Sequence, residues 1–565
     1  MMQDNAMSHQ SLVSADGRED VDTQESNFRA GEQLAETVRT TLGPKGLDKL
    51  LISSDGKLIV TNDGASILDR LNIEHPAANL IVEVAEQQDT RAGDGTTSAV
   101  ILAGELLGGA RALREQGIHP TKITEGYHLA ATHIKETLPE LTVPIDTSDD
   151  DELEDVARTV ITGKWDTAGT EFLAERAVQA VRAIQGDDRV AFEKITRKTI
   201  PGGSFYDSEL IEGLVIDMAE SSADVVSPVE QLPSSYTDAT VALVDQELST
   251  DEPTGIGAVD PDSYEDYEAF REYEQDVYDQ YVETLIDVGT DVLFCQQSID
   301  DPVRYQLATE GILAVERTRR DELNKLARAT GAQAVTMDQL SPATVGRATS
   351  VERRSVGPTE VTIVSGFDRF DQISLLFRGG TERIAAETKR KLDDCFYVLK
   401  LAIEDQALLP GGGATEVALA QALRTEAIRH PGKEQLAIEA FADALEAVPR
   451  TLAQSAGMNP VDALIELRNA HSAGTATAGL NLDTAAVDDM ATLGVLEPLH
   501  VKRQAITSAA EATNMIVRVD DTLSVSGHDH EGHDHEEDHD HGPGGVVQSS
   551  DGYPWAVGHS MGHDH

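Results

Sequence analysis

Apolar residues recur at helical spacing over long stretches of this chain, and the pattern changes character twice. Ala30, Leu34, Val38 and Leu42 repeat every four residues and predict an amphipathic helix, which Gly43-Pro44 stops. Lys57-Leu58-Ile59-Val60-Thr61 reads as a strand closed by the turn tripeptide Asn62-Asp63-Gly64. Pro76 opens a second helix with Leu80, Ile81, Val84 and Ala85 on one face, and helices dominate to about residue 140. From about 145 the texture shifts to acidic turns, a short helix over 171–184, strands and the break Pro201-Gly202-Gly203. Between about 215 and 366, β-rich runs at 240–244, 292–295 and 311–315 alternate with helical segments, an α/β pattern. Helical periodicity returns from 381 to about 519. The fold class is therefore multidomain α and α/β. The mirrored order predicts one domain inserted within another.

Two segments fall outside this pattern. Residues 1–25 are polar, acidic and aperiodic, and are expected to be disordered. The tail from 526 to 565 is low in complexity, with His-Asp-His at 528–530, 533–535, 539–541 and 563–565. Alternating imidazoles and carboxylates can bind Ni²⁺, Zn²⁺ or Cu²⁺, although such tracts are commonly solvated tails with incidental metal affinity.

Charge narrows the function classes. Asp and Glu total 100 against 45 Lys and Arg, a formal charge of -55. Such an excess argues against nucleic acid and anionic membranes as partners. It fits a protein adapted to high salt, where screening relieves self-repulsion. A disordered acidic chain is excluded by the 40% hydrophobic content and the long periodic segments. The two cysteines, Cys295 and Cys395, form neither a disulfide framework nor a zinc motif. The N-terminus lacks a signal-peptide core, and no apolar run approaches the roughly 18 residues of a membrane span. A cytoplasmic location is expected.

The candidate chemistry centres on Gly93-Asp94-Gly95-Thr96-Thr97-Ser98, followed by an apolar helical run. Backbone N–H groups and the positive end of a helix dipole suit a phosphate there, and Asp94 suits a divalent metal beside it. The Walker A pattern is absent. Other segments offer complementary groups: the glycine turn Thr41-Leu42-Gly43-Pro44-Lys45-Gly46, the carboxylate of Asp63, the run Lys391-Leu392-Asp393-Asp394, which reads as the start of a helical segment, and Leu409-Pro410-Gly411-Gly412-Gly413 entering a helix. Each alone is more often a cap, turn or loop. Their combination proposes metal–nucleotide binding. Residues 254–282 carry Tyr264, Tyr267, Phe270, Tyr273, Tyr278 and Tyr281 among many acids, which reads either as a helix packing its aromatic side or as an exposed protrusion.

These strings resemble group II chaperonin subunits of the archaeal thermosome type, relatives of the eukaryotic cytosolic chaperonin. The matching runs include Thr40–Gly46, Val60-Thr61-Asn62-Asp63-Gly64-Ala65, His75-Pro76-Ala77-Ala78, Gly93–Thr97, Gly117-Ile118-His119-Pro120, Arg378-Gly379-Gly380-Thr381-Glu382, Gly411–Glu416, Ala478-Gly479-Leu480-Asn481 and Gly494-Val495-Leu496-Glu497-Pro498. The similarity spans about 27–525.

The resemblance implies an equatorial ATPase domain (26–148 and 405–525), an intermediate hinge domain (149–214 and 369–404) and an apical substrate-binding domain (215–368). It also implies a helical lid protrusion near 250–282. The implied activity is ATP-driven folding of non-native proteins inside a double ring of identical or paralogous subunits, with Mg²⁺ and room for K⁺. Leu42, Gly43 and Pro44 would line the phosphates. Asp94 would hold Mg²⁺, with Gly95, Thr96, Thr97 and Ser98 on the phosphate chain. Asp63 and Asp394 would position and activate the attacking water, and Lys164 would sense the γ-phosphate. Gly412 and Gly413 would touch the ribose side, and Gly479 and Glu497 would bracket the adenosine.

The chain departs from the family at Lys389, where Glu is usual, at Trp165, where a small residue is common, and in its His/Asp tail. A ring subunit with weak ATPase that works with paralogues is the alternative these departures keep open. A metal-binding tail would be a secondary role.

Overall fold

In a computed structural model, which describes residues 23–52, 56, 58–163, 165–186, 190–218, 232–250, 264–357, 359–367 and 372–521, the two ends of the chain share one apolar core. Helices Thr23–Arg39, Pro76–Ala92, Thr96–Glu115 and Pro120–Thr137 pack with Ala414–Ala427, Lys433–Leu445 and Leu499–Val517. Helix Thr96–Glu115 carries Val100, Ala103, Leu106, Leu107 and Ala110 with few polar interruptions, so it is buried on most sides and stands at the centre. Tyr127 shows how polar tips are accommodated there. Its ring meets Phe441 edge-on at 5.6 Å, and its hydroxyl donates to the Leu106 carbonyl at 2.7 Å.

A second core lies between helices Asp150–Ile161, Thr167–Ile184 and Glu382–Asp405 and a three-stranded sheet. Strand Ile373–Gly379 is central in that sheet, parallel to Ile195–Pro201 and antiparallel to Glu209–Glu212. Every residue of the central strand is buried, as expected of a strand covered on both faces.

The middle of the sequence forms a seven-stranded mixed sheet. Ser235–Val244, Val292–Cys295 and Leu313–Val315 run parallel, whereas Gly346–Val356, Thr359–Ser365 and Leu214–Asp217 add antiparallel strands. The period-2 alternation is explicit: Val241 and Leu243 enter one apolar cluster, and Ala242 and Val244 enter another. Among the described residues no helix is long and apolar enough to cross a membrane.

Several local expectations are corrected. The acidic stretch after 145 is helical from Asp150 to Ile161. Asp149 caps it by accepting from the Asp151 N–H at 3.0 Å, and Asp150, Asp151 and Glu152 occupy the first turn, where the helix dipole favours anions. The helix expected over 171–184 starts earlier, at Thr167, behind an Asp166 cap. Lys391–Asp394 do not open a helix. They lie inside Glu382–Asp405, which begins after the Thr381 cap. The first helix starts at Thr23, inside the stretch expected to be aperiodic, while residues 1–22 and the His/Asp tail lie outside the described residues. The aromatic segment divides: Tyr278 and Tyr281 pack into the core beside Val282 and Leu285, whereas Tyr273 is exposed. Residues 251–263, at the start of the expected protrusion, lie outside the described residues.

Candidate functional site

Two helices open on the same cavity with glycine in the cap position. Gly95 precedes helix Thr96–Glu115 and Gly413 precedes Ala414–Ala427, and neither helix has a side-chain cap. The first-turn N–H groups of both helices therefore point outward without a side-chain acceptor, the arrangement that binds anions. Gly95 has φ +79°, a left-handed conformation that a side chain would strain. Its N–H donates to Asp94 Oδ1 at 2.7 Å, which fixes that carboxylate at the cavity wall. Gln88, fully buried, donates to the Asp94 carbonyl at 2.7 Å and to the Val501 carbonyl at 3.1 Å. The loop is thereby tied to the C-terminal helix.

The cavity measures about 410 Å³. Of the sequence-derived candidates, Leu42, Gly43, Pro44, Asp63, Asp94, Gly95, Thr96, Thr97, Ser98, Gly412, Gly413 and Glu497 line it. Gly479 stands behind the wall, where a Cβ would lie 2.8 Å from the Gly411 carbonyl oxygen. Lys164 lies outside the described residues, but its neighbour Gly163 abuts the phosphate-side loop: a Cβ there would fall 2.4 Å from the Pro44 carbonyl oxygen. Asp394 does not line the cavity and reaches it through its neighbours.

Asp63 has both an ordinary and a special position. It caps helix Gly64–Asp69 by accepting from the Ser66 N–H at 2.8 Å. Its other oxygen lies 3.5 Å from Arg390, whose same terminal nitrogen is 3.2 Å from Asp394. One guanidinium thus spans the two carboxylates, and Glu387 holds its other side at 2.9 Å. The carboxylates are driven apart in acidity. Burial would raise Asp63, but the Arg390 charge and the Ser66 donors outweigh it and hold the group below the usual carboxylate range. For Asp394 burial prevails over Lys391 and Arg390, with Asp63 and Asp94 adding repulsion, and its carboxyl is pushed up to about 7. Its neighbour Asp393 faces away and pairs with Arg197 at 2.9 Å.

Also lining the cavity, Glu497 meets Lys502 at 2.9 Å, and Lys502 meets Glu416 at 2.6 Å. Burial raises the Glu497 carboxyl, while the two carboxylates keep Lys502 protonated despite its burial. Reading the sequence missed Gln88, Asp89, Lys502 and the bridging role of Arg390. Asp89 feels Asp63 and Asp94 across the loop, and its carboxyl is raised chiefly by burial.

Residues 34–526 match the TCP-1/cpn60 chaperonin family. The chain belongs to that family, as a thermosome-type group II subunit. The chaperonin is 42% identical to thermosome subunit alpha of Halobacterium salinarum, over 89% of this chain and 88% of the relative. It is 42% and 41% identical to the beta and alpha thermosome subunits of Archaeoglobus fulgidus, each over 90% of this chain and 93% of the relative. The family is one of ATPases.

Proposed function

We propose that this subunit binds Mg-ATP in the 410 Å³ cavity and hydrolyses it to drive the folding of non-native proteins in a closed double ring. The observation that carries the reading is the convergence on one cavity of two glycine-capped helix N-termini and the Asp63 and Asp94 carboxylates, with Asp394 joined to Asp63 through Arg390. Phosphate oxygens would accept from the Thr96–Ser98 backbone and hydroxyls beside Gly95, with Gly43 and Pro44 across from them. A single carboxylate beside phosphates is the donor set Mg²⁺ takes, and the ion would neutralise phosphate charge. Asp63, kept ionised, would orient the attacking water. Asp394, with a carboxyl near neutrality, would accept its proton. The ribose would lie toward Gly412, Gly413 and Glu497, with Gly479 supporting that wall from behind. K⁺ is a further ion the family reading allows.

In this reading the ATPase domain comprises 26–148 and 405–525, the hinge 149–214 and 369–404, and the substrate-binding domain 215–368. Asp394 and Lys164 belong to the hinge, so its closure would complete the site and couple hydrolysis to chamber closure. Titration of ATP against the assembled protein tests the assignment. Asp94→Ala is expected to weaken Mg-ATP binding at least tenfold and leave the fold intact, and unchanged affinity would contradict it.

Assembly has its own support. Among the described residues, strands Lys49–Ile52 and Leu58–Thr61 pair only with each other, placing Leu50 opposite Val60 and Ile52 opposite Leu58. All four are exposed, so one face of the hairpin is apolar where a monomer would present polar groups. We assign this face to contact with a neighbouring identical or paralogous subunit. The double variant Leu50→Asp, Val60→Asp is expected to yield monomers with an unchanged far-UV circular dichroism spectrum, and light scattering that still reports full-size particles would refute the assignment.

A further inference from the structure

Three cationic side chains line the cavity among the described residues: Arg158, Lys391 and Lys502. Two are already occupied. Arg158 pairs with Asp155 and Glu154 on its own helix. Lys502 is fixed between Glu416 and Glu497 at 2.6 and 2.9 Å. Lys391 differs, because its ammonium lies 3.7 Å from Asp394 Oδ2, beyond hydrogen-bonding distance. Its tighter-bound neighbour Arg390 already serves Asp394, Asp63 and Glu387.

Position matters as much as pairing. Helix Glu382–Asp405 packs against the Asp94 loop: a Cβ on Gly93 would lie 2.6 Å from the Tyr397 Cβ. The same helix directs Lys391 into the cavity that Asp63 and Asp94 line. Its field reaches Asp63 and Asp89 as well as Asp394. An ammonium on a flexible stem, held by one long contact and facing a cavity built for phosphates, has a stronger partner available than the carboxylate it now approaches.

We propose that Lys391 is a phosphate-binding residue that contacts the terminal phosphate of the bound nucleoside triphosphate. This rests on the ATP reading above. When the triphosphate enters, the ammonium exchanges its long contact with Asp394 for a charge-assisted hydrogen bond to a terminal oxygen. The contact exists only with the third phosphate, so Lys391 makes the site discriminate tri- from diphosphate. It also releases Asp394 from one of its two cations at the moment the substrate is in place.

The test compares calorimetric binding of ADP and of the β,γ-imido analogue of ATP to the assembled protein in molar KCl with Mg²⁺. Wild type, Lys391→Met and Lys391→Arg are measured side by side. Lys391→Met is expected to lose about tenfold or more in affinity for the triphosphate analogue, with ADP affinity within about twofold of wild type. Retained ADP binding reports an intact fold, and Lys391→Arg, which keeps the charge, should recover most of the loss. Equal losses for both nucleotides, or no loss for either, would overturn the Lys391 assignment while leaving the ATP site standing. Wild-type protein that binds neither nucleotide would overturn the ATP reading and this inference with it.

Discussion

Asp394→Ala is expected to reduce ATP turnover by about 10²–10⁴-fold while nucleotide binding stays within a few-fold of wild type. Binding survives because Asp394 does not line the cavity. Folding survives because Arg390 keeps Asp63 and Glu387 as partners. The acidity of Asp394 adds a second signature. Its carboxyl is raised to about 7 by burial, so below that pH it carries a proton and cannot accept one from water, and above it the carboxylate is free. The kcat/KM of wild type should therefore fall as pH drops through about 7, on the acid limb, and the residual activity of the variant should lack that break. A variant with wild-type turnover, or a wild-type profile flat from pH 6 to 8, would remove Asp394 from the proposed role.

Transfer from molar KCl to dilute buffer is expected to dissociate the assembled protein. Each chain carries a formal charge of -55, and the proposed ring would bring many such subunits together. At about 1 M salt, charges are screened within roughly 3 Å, whereas at about 0.1 M the range grows to roughly 10 Å and neighbouring subunits repel. In the proposed assembly, the exposed apolar face of the hairpin would supply the opposing attraction. Size measured by light scattering should fall to that of monomers or small oligomers in low salt and recover when KCl is restored. A full-size particle that persists in dilute buffer would contradict the salt-adaptation argument.

Much of the site was legible because its parts are contiguous strings with backbone consequences. Gly93–Ser98 and Gly411–Glu416 each declare a turn entering a helix, and the structure directs both at one cavity. What the strings could not reveal is pairing across distance. Arg390 bridges Asp63 and Asp394 only because helix Glu382–Asp405 packs back onto a loop some 300 residues earlier. Gln88 stands in the polar run Glu86-Gln87-Gln88-Asp89 and Lys502 beside Arg503 and Gln504, so nothing local distinguishes them from surface positions. The helix Asp150–Ile161 was misread for a related reason: acids that suggest a turn by composition serve as a cap and first-turn charges once a helix follows. The tyrosines at 278 and 281 fit either proposed reading by spacing alone, and their burial is decided by the sheet they cover.

The most direct test is refolding of a chemically denatured client by the assembled protein in molar KCl, with Mg-ATP, with Mg-ADP and without nucleotide, beside the Asp394→Ala variant. The account predicts a yield well above spontaneous refolding with Mg-ATP only, and loss of that gain in the variant. Equal yields under all three nucleotide conditions, or an undiminished gain in Asp394→Ala, would contradict it.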